Sequence, residues 1–205
     1  MKKKQFSIII PTHDGASHGL FDALHSITMQ CYDRDKYEII VICDRCSDNS
    51  EELAKRHADK VKAVDHGNAG MSRNEGLALA DGEWILFMDD DDRWTHEFVL
   101  QHLDRYARAD DFDILVFAFI FGERGIALPL DNCGALFPNV WSKMFRREFI
   151  GETKFRNVYP NDDELFCKDI FEKSPRVRVS DSVNYYYNYM RPGSITDTER
   201  KKECQ

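Results

Sequence analysis

The sequence lacks the features that mark secreted, membrane-spanning and nucleic-acid-binding proteins. Its longest uninterrupted apolar run, Ile114 to Phe121, is far below the roughly 20 residues that a helix needs to cross a bilayer. The basic start leads directly into a strand-like segment, so we find no signal peptide. Acidic residues outnumber basic ones by 36 to 28, which gives a net charge of −8 and argues against a nucleic-acid partner. We expect a soluble, cytoplasmic protein.

Cysteine is also sparse, with six residues in 205 and no dense pattern of the kind that staples small secreted domains. Reduced thiols fit this pattern. Cys43 and Cys46 form a CxxC that could be half of a zinc site or a redox pair. A structural zinc site needs four ligands, however, and no second CxxC exists. We therefore expect neither role.

The most informative stretch is Trp84 to Trp94, an apolar run that ends in four consecutive aspartates. A short apolar run before a polar break predicts a buried strand. Carboxylates at the end of such a strand repel one another unless a cation lies among them. Asp89 and Asp91 alternate along the chain and can therefore share a face, where oxygen ligands would suit magnesium, manganese or calcium. The alternative is an acidic turn that caps the next helix through Asp92 or Thr95.

The order of predicted elements indicates one domain with an α/β fold. Strands and helices alternate through the first half, which predicts a mainly parallel, doubly wound sheet with helices on both faces and a ligand crevice above the strand ends. The predicted strands cover residues 5–10, 37–43, 61–64, 84–88, 113–121, 176–179 and 183–189. The predicted helices cover residues 16–30, 47–57, 68–80, 96–108 and 162–173. Residues 122–138 read as a loop or hairpin, and residues 140–145 as a strand or a short helix.

Five segments carry a family resemblance, and they occur in order along nearly the whole chain. They are SIIIPTHD, YEIIVICDRCSDNS, GNAGMSRNEGLALADGEWILFMDDDD, VWSKMFRRE and YYYNYMRPGSIT. Together they resemble the motifs of the inverting nucleotide-sugar glycosyltransferases of family 2, which have the GT-A fold. The last two segments are similar to stretches of the bacterial members that modify surface polysaccharides. The resemblance implies a uridine-diphosphate sugar as donor and an acceptor hydroxyl on a sugar or a lipid-linked glycan.

The resemblance also implies a role for each matching residue. Those implied in nucleotide or donor binding are Pro11, Thr12, Asp44, Asn68, Arg73, Asn74, Asp89, Asp90 and Arg191. Asp91, with Asp89, would bind the Mn²⁺ or Mg²⁺ ion that bridges the two phosphates. Arg73 would face the diphosphate charge, and Arg191 would stabilise the leaving diphosphate. Trp141 is the aromatic residue that we expect on the acceptor side.

The catalytic base implied by the resemblance lies at the start of a predicted helix, in the segment NDDELF. Asp163 matches the position of the base, and Asp162 replaces the usual glutamate, so either could accept the proton. Acidic residues are also favoured at a helix N-terminus by the helix dipole alone. The chemistry supports the catalytic role, because a carboxylate opposite the leaving group must take the proton of the acceptor hydroxyl.

The second segment departs from the family pattern. The usual Asp-Asp-Gly-Ser is replaced by Cys43, Asp44, Arg45 and Cys46, so the tight turn of the glycine is expected to be lost at Arg45. This departure keeps open a second hypothesis, a catalytically weak sugar-nucleotide-binding or regulatory protein. A nucleotidyltransferase is a third, but the first loop lacks the glycine-rich basic cradle for phosphate. A phosphatase of the DxD type would need its nucleophile after an early strand.

The two halves of the chain have different expected tasks. Residues 1 to about 112 would bind the nucleotide sugar, and residues from about 113 to 205 would bind the acceptor. Peripheral contact with the inner face of a membrane stays open, through basic patches at Arg146 and Arg147 or at Lys2 to Lys4.

Overall fold

Nine β-strands form a single sheet in a computed structural model of the chain, which describes residues 4–109, 111–127 and 138–189. The strands are β1 (Phe6–Thr12), β2 (Tyr37–Asp44), β3 (Lys60–Val64), β4 (Trp84–Phe87), β5 (Arg93–Trp94), β6 (Ile114–Phe121), β7 (Ile126–Ala127), β8 (Lys143–Arg146) and β9 (Val177–Tyr187). The helices are α1 (Leu20–Thr28), α2 (Ser50–His57), α3 (Ala69–Leu79), α4 (Val99–Ala107), α5 (Arg147–Ile150) and α6 (Asp162–Phe171).

The first half of the sheet is parallel, as the alternation of strands and helices predicts. The strand order is β3-β2-β1-β4-β8-β6-β9-β5, and β1 pairs in parallel with both β2 and β4. Because parallel strands point the same way, the carboxyl ends of β1, β2 and β4 lie at one edge. The loops predicted to carry function all leave the sheet at this edge.

The second half of the sheet mixes directions, which the sequence pattern did not reveal. Strand β8 runs antiparallel to β4 and β6, whereas β9 runs parallel to β6. The two closing strands predicted at residues 176–179 and 183–189 are one strand, β9. Its register against β6 shifts on both sides of Ala118, and such an irregularity breaks the alternation that a sequence pattern relies on.

Alternate side chains of the central strands enter two separate cores, so both faces of the sheet are covered. Ile8 and Ile10 of β1 pack in one core with the apolar residues of α1 and α4. Ile9 packs in the other, with those of α5 and α6. The predicted arrangement of helices on both faces is therefore confirmed. Among the described residues, none of the helices combines the length and the apolar character that crossing a membrane requires.

Helix α3 packs unusually close to β1, which fixes the position of its polar side chains above the sheet edge. A Cβ atom added at Gly76 would lie 2.3 Å from Cγ2 of Ile9, a distance that no side chain could tolerate without movement of the helix. The small residue therefore allows the close approach. The same helix carries Asn68 as its N-cap and Arg73 on its buried side.

Candidate active site

Arg73 lies at the centre of the candidate site and brings together two acidic segments that are far apart in the sequence. Its Nη2 atom lies 2.7 Å from Oδ1 of Asp89. Its Nη1 atom lies 2.8 Å from Oδ2 of Asp162 and 2.9 Å from Oδ1 of Asp163. The arginine side chain is 6% exposed. Burial opposes its charge, but Asp163, Asp89 and Asp162 raise the pKa of Arg73, so it remains a cation.

This contact adds a structural role to the one predicted for Arg73. Its guanidinium group is buried among three carboxylates and links the end of β4 to the start of α6, which brings Asp89, Asp162 and Asp163 into one acidic cluster. That Arg73 lies near the nucleotide and favours the diphosphate charge stays a prediction.

Three of the four consecutive aspartates, Asp89, Asp90 and Asp92, have different hydrogen-bond partners. Asp90 accepts a hydrogen bond from the Thr12 hydroxyl at 2.6 Å and lies 3.5 Å from Nε2 of His18. A Cβ atom at Gly15 would lie 2.6 Å from Oδ2 of Asp90, and one at Gly19 would lie 2.7 Å from the Cα atom of Asp91. The loop after β1 therefore packs tightly against the aspartates, and it can do so because both positions are glycine.

Asp92 has a structural position that the sequence did not predict. It is 1% exposed and accepts hydrogen bonds from the Tyr185 hydroxyl at 2.6 Å and the Asn188 amide at 2.7 Å. The Asp89 amide in turn donates to the Tyr185 hydroxyl at 3.1 Å. Neither Asp92 nor Thr95 caps α4, whose N-cap is Phe98. The alternative that these residues cap the next helix is therefore wrong.

The aspartate turn carries more negative charge than Arg73 neutralises. Burial raises the pKa of Asp89, with Arg73 opposing this effect and Asp163 and Asp91 adding to it. Burial also raises the pKa of Asp92, and both Asp89 and Asp91 contribute. These carboxylates therefore repel one another in a partly buried environment. A divalent cation with oxygen ligands fits this donor set, and Asp91 with Asp89 would hold it.

Asp44 does not point a free carboxylate at a ligand. It is 5% exposed and accepts hydrogen bonds from the amides of His66, Gly67 and Asn68 and from the Ser72 hydroxyl, at 2.8 to 3.0 Å. Four donors occupy its two oxygen atoms, and the contact with the uracil or ribose that the resemblance implies for Asp44 stays a prediction. The side chain shapes the loop that leads into α3.

The two asparagines predicted near the nucleotide also bond within the protein. Asn68 accepts a hydrogen bond from the Met71 amide and donates to the carbonyl of Val158. Asn74 bonds both backbone groups of Phe155 at 2.9 Å. Both side chains therefore anchor the segment before α6, and the expectation that they lie near the nucleotide stays a prediction.

Arg45 keeps the tight turn that its glycine counterpart was expected to provide. Its backbone has φ 55°, in the left-handed region that favours glycine, and its guanidinium forms an exposed ion pair with Asp65. The expectation that the turn is lost is therefore wrong. Strain at a non-glycine residue in this region is the consequence.

Trp141 is buried rather than presented to an acceptor. Its ring stacks on Tyr185 and Tyr187, with centroids 4.8 and 4.9 Å apart, and meets the edge of Phe119 at 4.7 Å. The residue is 6% exposed. The prediction that Trp141 faces the acceptor crevice is corrected, because aromatic packing with β6 and β9 covers the ring.

The remaining predicted residues fall at the sheet edge or outside the described ranges. Pro11 and Thr12 are buried at the carboxyl end of β1. Arg191 lies outside the described residues. Sequence reasoning missed Tyr185 and Lys143, although a lone lysine in the apolar segment Val140 to Phe145 was a signal for the second.

A separate group of three ligand-type side chains lies at the ends of β1 and β2. Among the described residues, Asp14, Cys46 and Asp48 place one ligand atom each within 4.8 Å of the others. The Asp14 carboxylate already accepts hydrogen bonds from the amides of Ser47 at 2.6 Å and Asp48 at 3.1 Å. The sulfur atom also differs from the oxygen ligands that Mn²⁺ or Mg²⁺ prefers.

The fold defines the class of protein. The chain superposes on the Staphylococcus aureus protein TarS, residues 1–349, in complex with UDP-GlcNAc, with a TM-score of 0.80 and 22% identity over 95% of this chain and 61% of that one. It also matches the mannosyltransferase PcManGT from Pyrobaculum calidifontis, in complex with GDP-Man and Mn²⁺, with a TM-score of 0.74 and 18% identity over 99% and 61% of the two chains. The fold is the GT-A glycosyltransferase fold.

Sequence comparison then gives the family. The model of glycosyl transferase family 2 matches residues 7–160, and the chain belongs to this family. It is 26% identical to the poly(ribitol-phosphate) β-N-acetylglucosaminyltransferase TarP of Staphylococcus aureus, over 89% of this chain and 62% of that protein. It is 33% identical to the uncharacterized glycosyltransferase YibD of Escherichia coli, over 96% and 64%. The chain spans 33% of a Bacillus spizizenii poly(ribitol-phosphate) β-glucosyltransferase, with 24% identity over 92% of this chain.

Proposed function

We propose that this chain is a metal-dependent, inverting glycosyltransferase that moves a sugar from a uridine-diphosphate donor to an acceptor hydroxyl. The observation that carries the proposal is the convergence of Asp89, Asp162 and Asp163 on Arg73. Donor binding and proton removal both need acidic groups beside one sugar, and this contact brings both acidic segments to one place in the fold. The reaction would serve polysaccharide or glycan biosynthesis.

The donor side of the site would be built by the loop after β1 and the aspartate turn. Pro11, Thr12 and Asp90 would form the floor beneath the nucleotide, and Asp89 would hold the ribose. Asp91, with Asp89, would hold Mn²⁺ or Mg²⁺. When bound, the metal would neutralise charge that develops on the leaving diphosphate. The solved complexes of TarS with UDP-GlcNAc and of PcManGT with GDP-Man and Mn²⁺ support this choice of ligands.

The proton of the acceptor hydroxyl would pass to Asp163, with Asp162 as the alternative base. Asp163 has one oxygen beside Arg73 and the other held by the Val140 amide at 3.1 Å, so its orientation is fixed. The acceptor oxygen would attack the anomeric carbon from the side opposite the diphosphate, which leaves. This single displacement, through an oxocarbenium-like state, would invert the configuration of that carbon.

The acceptor would bind against the second half of the chain. In this proposal, residues 1 to about 112 bind the nucleotide sugar and residues from about 113 to 205 form the acceptor side, with Arg191 near the leaving diphosphate. The names of two relatives point to poly(ribitol-phosphate) as the acceptor of those proteins. The proposal also includes a lipid-linked acceptor and a cytoplasmic location at the inner face of a membrane. The names of the relatives do not address either point.

Calorimetric titration with uridine diphosphate, with and without Mn²⁺, tests the donor side. We expect the wild type to bind in a metal-dependent way and Asp91→Ala to lose this binding. Asp22→Ala, which removes an exposed aspartate on α1, is the matched control and should bind like the wild type. If the folded wild type fails to bind, or if Asp91→Ala binds equally well, the uridine-donor proposal is wrong.

Binding without turnover would favour the second candidate, a sugar-nucleotide-binding protein of weak activity. The observation behind it is the altered loop after β2, where Asp44 is fully engaged with backbone donors and Arg45 replaces a glycine. Donor hydrolysis and transfer should be measured with UDP-glucose and UDP-GlcNAc on the same protein. Turnover that depends on Asp163 would exclude this candidate.

A further inference from the structure

Lys143 is an unusual residue, since it is the one lysine among the described residues that is buried. It lies in β8, at the centre of the sheet, with 0% exposure. Lysine is almost never fully buried unless its charge is compensated. Burial lowers the pKa of Lys143, and Cys167 and Asp163 on α6 oppose that effect. The charge therefore lies within electrostatic reach of the candidate base.

A chain of contacts joins the ammonium group to Asp163. The Nζ atom of Lys143 donates to the carbonyl oxygen of Asn139. The Cys167 thiol lies 3.7 Å from the same oxygen and also donates to it. The next residue, Val140, donates its amide to Oδ2 of Asp163 at 3.1 Å. The turn at Asn139 and Val140 is thus held on one side by Lys143 and holds the carboxylate on the other.

An apolar side chain of similar length would fill the same space without the cost of burying an ammonium group. A buried charge without compensation is among the most costly features of a fold. Packing alone therefore gives no reason for a lysine at this position. Its amine holds the turn, and its charge faces Asp163, which belongs to the acidic cluster around Arg73.

We propose that Lys143 is a positioning residue for Asp163: its ammonium group holds the turn at Asn139 and Val140, the Val140 amide of that turn orients the carboxylate, and the buried charge lies within electrostatic reach of it. The proposal rests on the proposed function in that Asp163 is taken as the base. The other charged or titratable groups that face Asp163 are Arg73 from α3, Asp89 from the end of β4, and Asp162 and Cys167 from α6. Arg73 is the cation in this group, so Asp163 faces two cations, Arg73 and Lys143.

The kinetic test compares Lys143→Met with Lys168→Met, which removes an exposed lysine from α6. With UDP-glucose or UDP-GlcNAc as donor, we expect Lys143→Met to lower kcat by about 10²-fold, because a misplacement of about 1 Å can cost that much. The donor KM should stay within a factor of about two, because the aspartate turn is not altered. A folded Lys143→Met that matches Lys168→Met in kcat would overturn the proposal.

A second measurement keeps the proposal testable if Lys143→Met does not fold or if the wild type shows no turnover. The ¹⁵Nζ resonance of Lys143 is titrated by NMR in the wild type and in Asp163→Asn. Loss of the carboxylate should move the titration of Lys143 to lower pH, because the ammonium loses a negative neighbour. An unchanged titration overturns the proposal. An inactive wild type with a shifted titration would reject the proposed function but retain the link between the two residues.

Discussion

Two acidic segments face Arg73, and they are built differently. The turn at Asp89 to Asp92 follows a buried strand, and three of its carboxylates have different partners: Asp89 pairs with Arg73, Asp90 with the Thr12 hydroxyl and His18, and Asp92 with the Tyr185 hydroxyl and the Asn188 amide. The pair Asp162 and Asp163 opens α6 and shares Arg73. Three chemically identical residues of one turn therefore have different partners, whereas Asp162 and Asp163 share one cation. The partner, rather than the residue type, sets the role.

The two segments also differ in what compensates their charge. A helix N-terminus attracts acids through its dipole, and α6 has Asp162, Asp163 and Glu164 in its first turn. The aspartate turn has no such helix; burial raises the pKa of Asp89 to about 7 and that of Asp92 well above its ordinary value, and it also raises the pKa of Asp162 at the helix start, where Arg73 opposes it. The turn is thus the segment that gains most from an added cation, and the helix start is the one suited to hold a fixed base.

Asp163→Asn should have the largest effect and should distinguish the proton-accepting segment from the donor-binding segment. We expect transfer or donor hydrolysis to fall by about 10²–10⁴-fold, the usual contribution of a general base, whereas affinity for uridine diphosphate with Mn²⁺ should change little. Steady-state kinetics and calorimetry on the same preparation check both parts. Asp162→Asn is the matched variant and should lose less activity. Equal losses in the two variants, or a larger one in Asp162→Asn, would contradict the assignment of Asp163.

Arg73→Met would remove the cation that the two segments share. Breaking a buried ion pair by removal of one partner costs about 3–5 kcal/mol, because the remaining charges stay buried. We expect a loss of that size in the free energy of unfolding, measured with urea, and partial recovery on addition of Mn²⁺. Arg156→Met, which breaks an exposed pair with Asp169, should cost about 1 kcal/mol or less. A similar loss in both variants would show that Arg73 is not the shared cation.

Tyr185→Phe tests whether the aspartate turn depends on β9. The substitution keeps the ring but removes the hydroxyl that donates to Asp92, so a buried carboxylate loses a donor. We expect unfolding free energy to fall by about 1–3 kcal/mol, measured by urea denaturation. Tyr186→Phe on the same strand is the control. If the two variants are equally stable, the hydroxyl contributes nothing to the turn.

A substitution at Asp44 should have the smallest effect on stability. Its pKa is lowered, whereas the pKa values of Asp89 and Asp92 are raised. Burial raises its pKa, but hydrogen bonds from Gly67, Asn68, His66 and Ser72 outweigh burial and lower it overall. Its contribution to stability is thus complete above the unfolded pKa of about 3.9 and is lost as pH falls through the folded value. Asp44→Asn should be less stable than the wild type near pH 6, and this difference should shrink near pH 3. Urea denaturation at both pH values, with Asp22→Asn as reference, checks this; a constant difference would contradict it.

The elements of the first half could be predicted because their patterns are local. An apolar strand followed by an amphipathic helix gives β1 with α1 and β2 with α2, and parallel pairing then follows from the connections. In the second half, the bulged register of β9 and the reversed β8 depend on pairing partners that no local pattern shows. The four aspartates likewise predicted a strand end, but not that Asp92 would be bonded to a tyrosine 93 residues away.

The sequence by itself determined the α/β class, the strand ends at which the acids collect, the family resemblance and the two acidic segments. Tertiary structure alone decided that Arg73 lies between those segments, that Asp44, Asn68 and Asn74 bond to backbone groups, and that Trp141 is covered. The physical reason is that hydrophobic periodicity records which face of an element is buried. Which polar atom meets which depends on how the faces are packed, and close contacts such as Gly76 on Ile9 fix that packing.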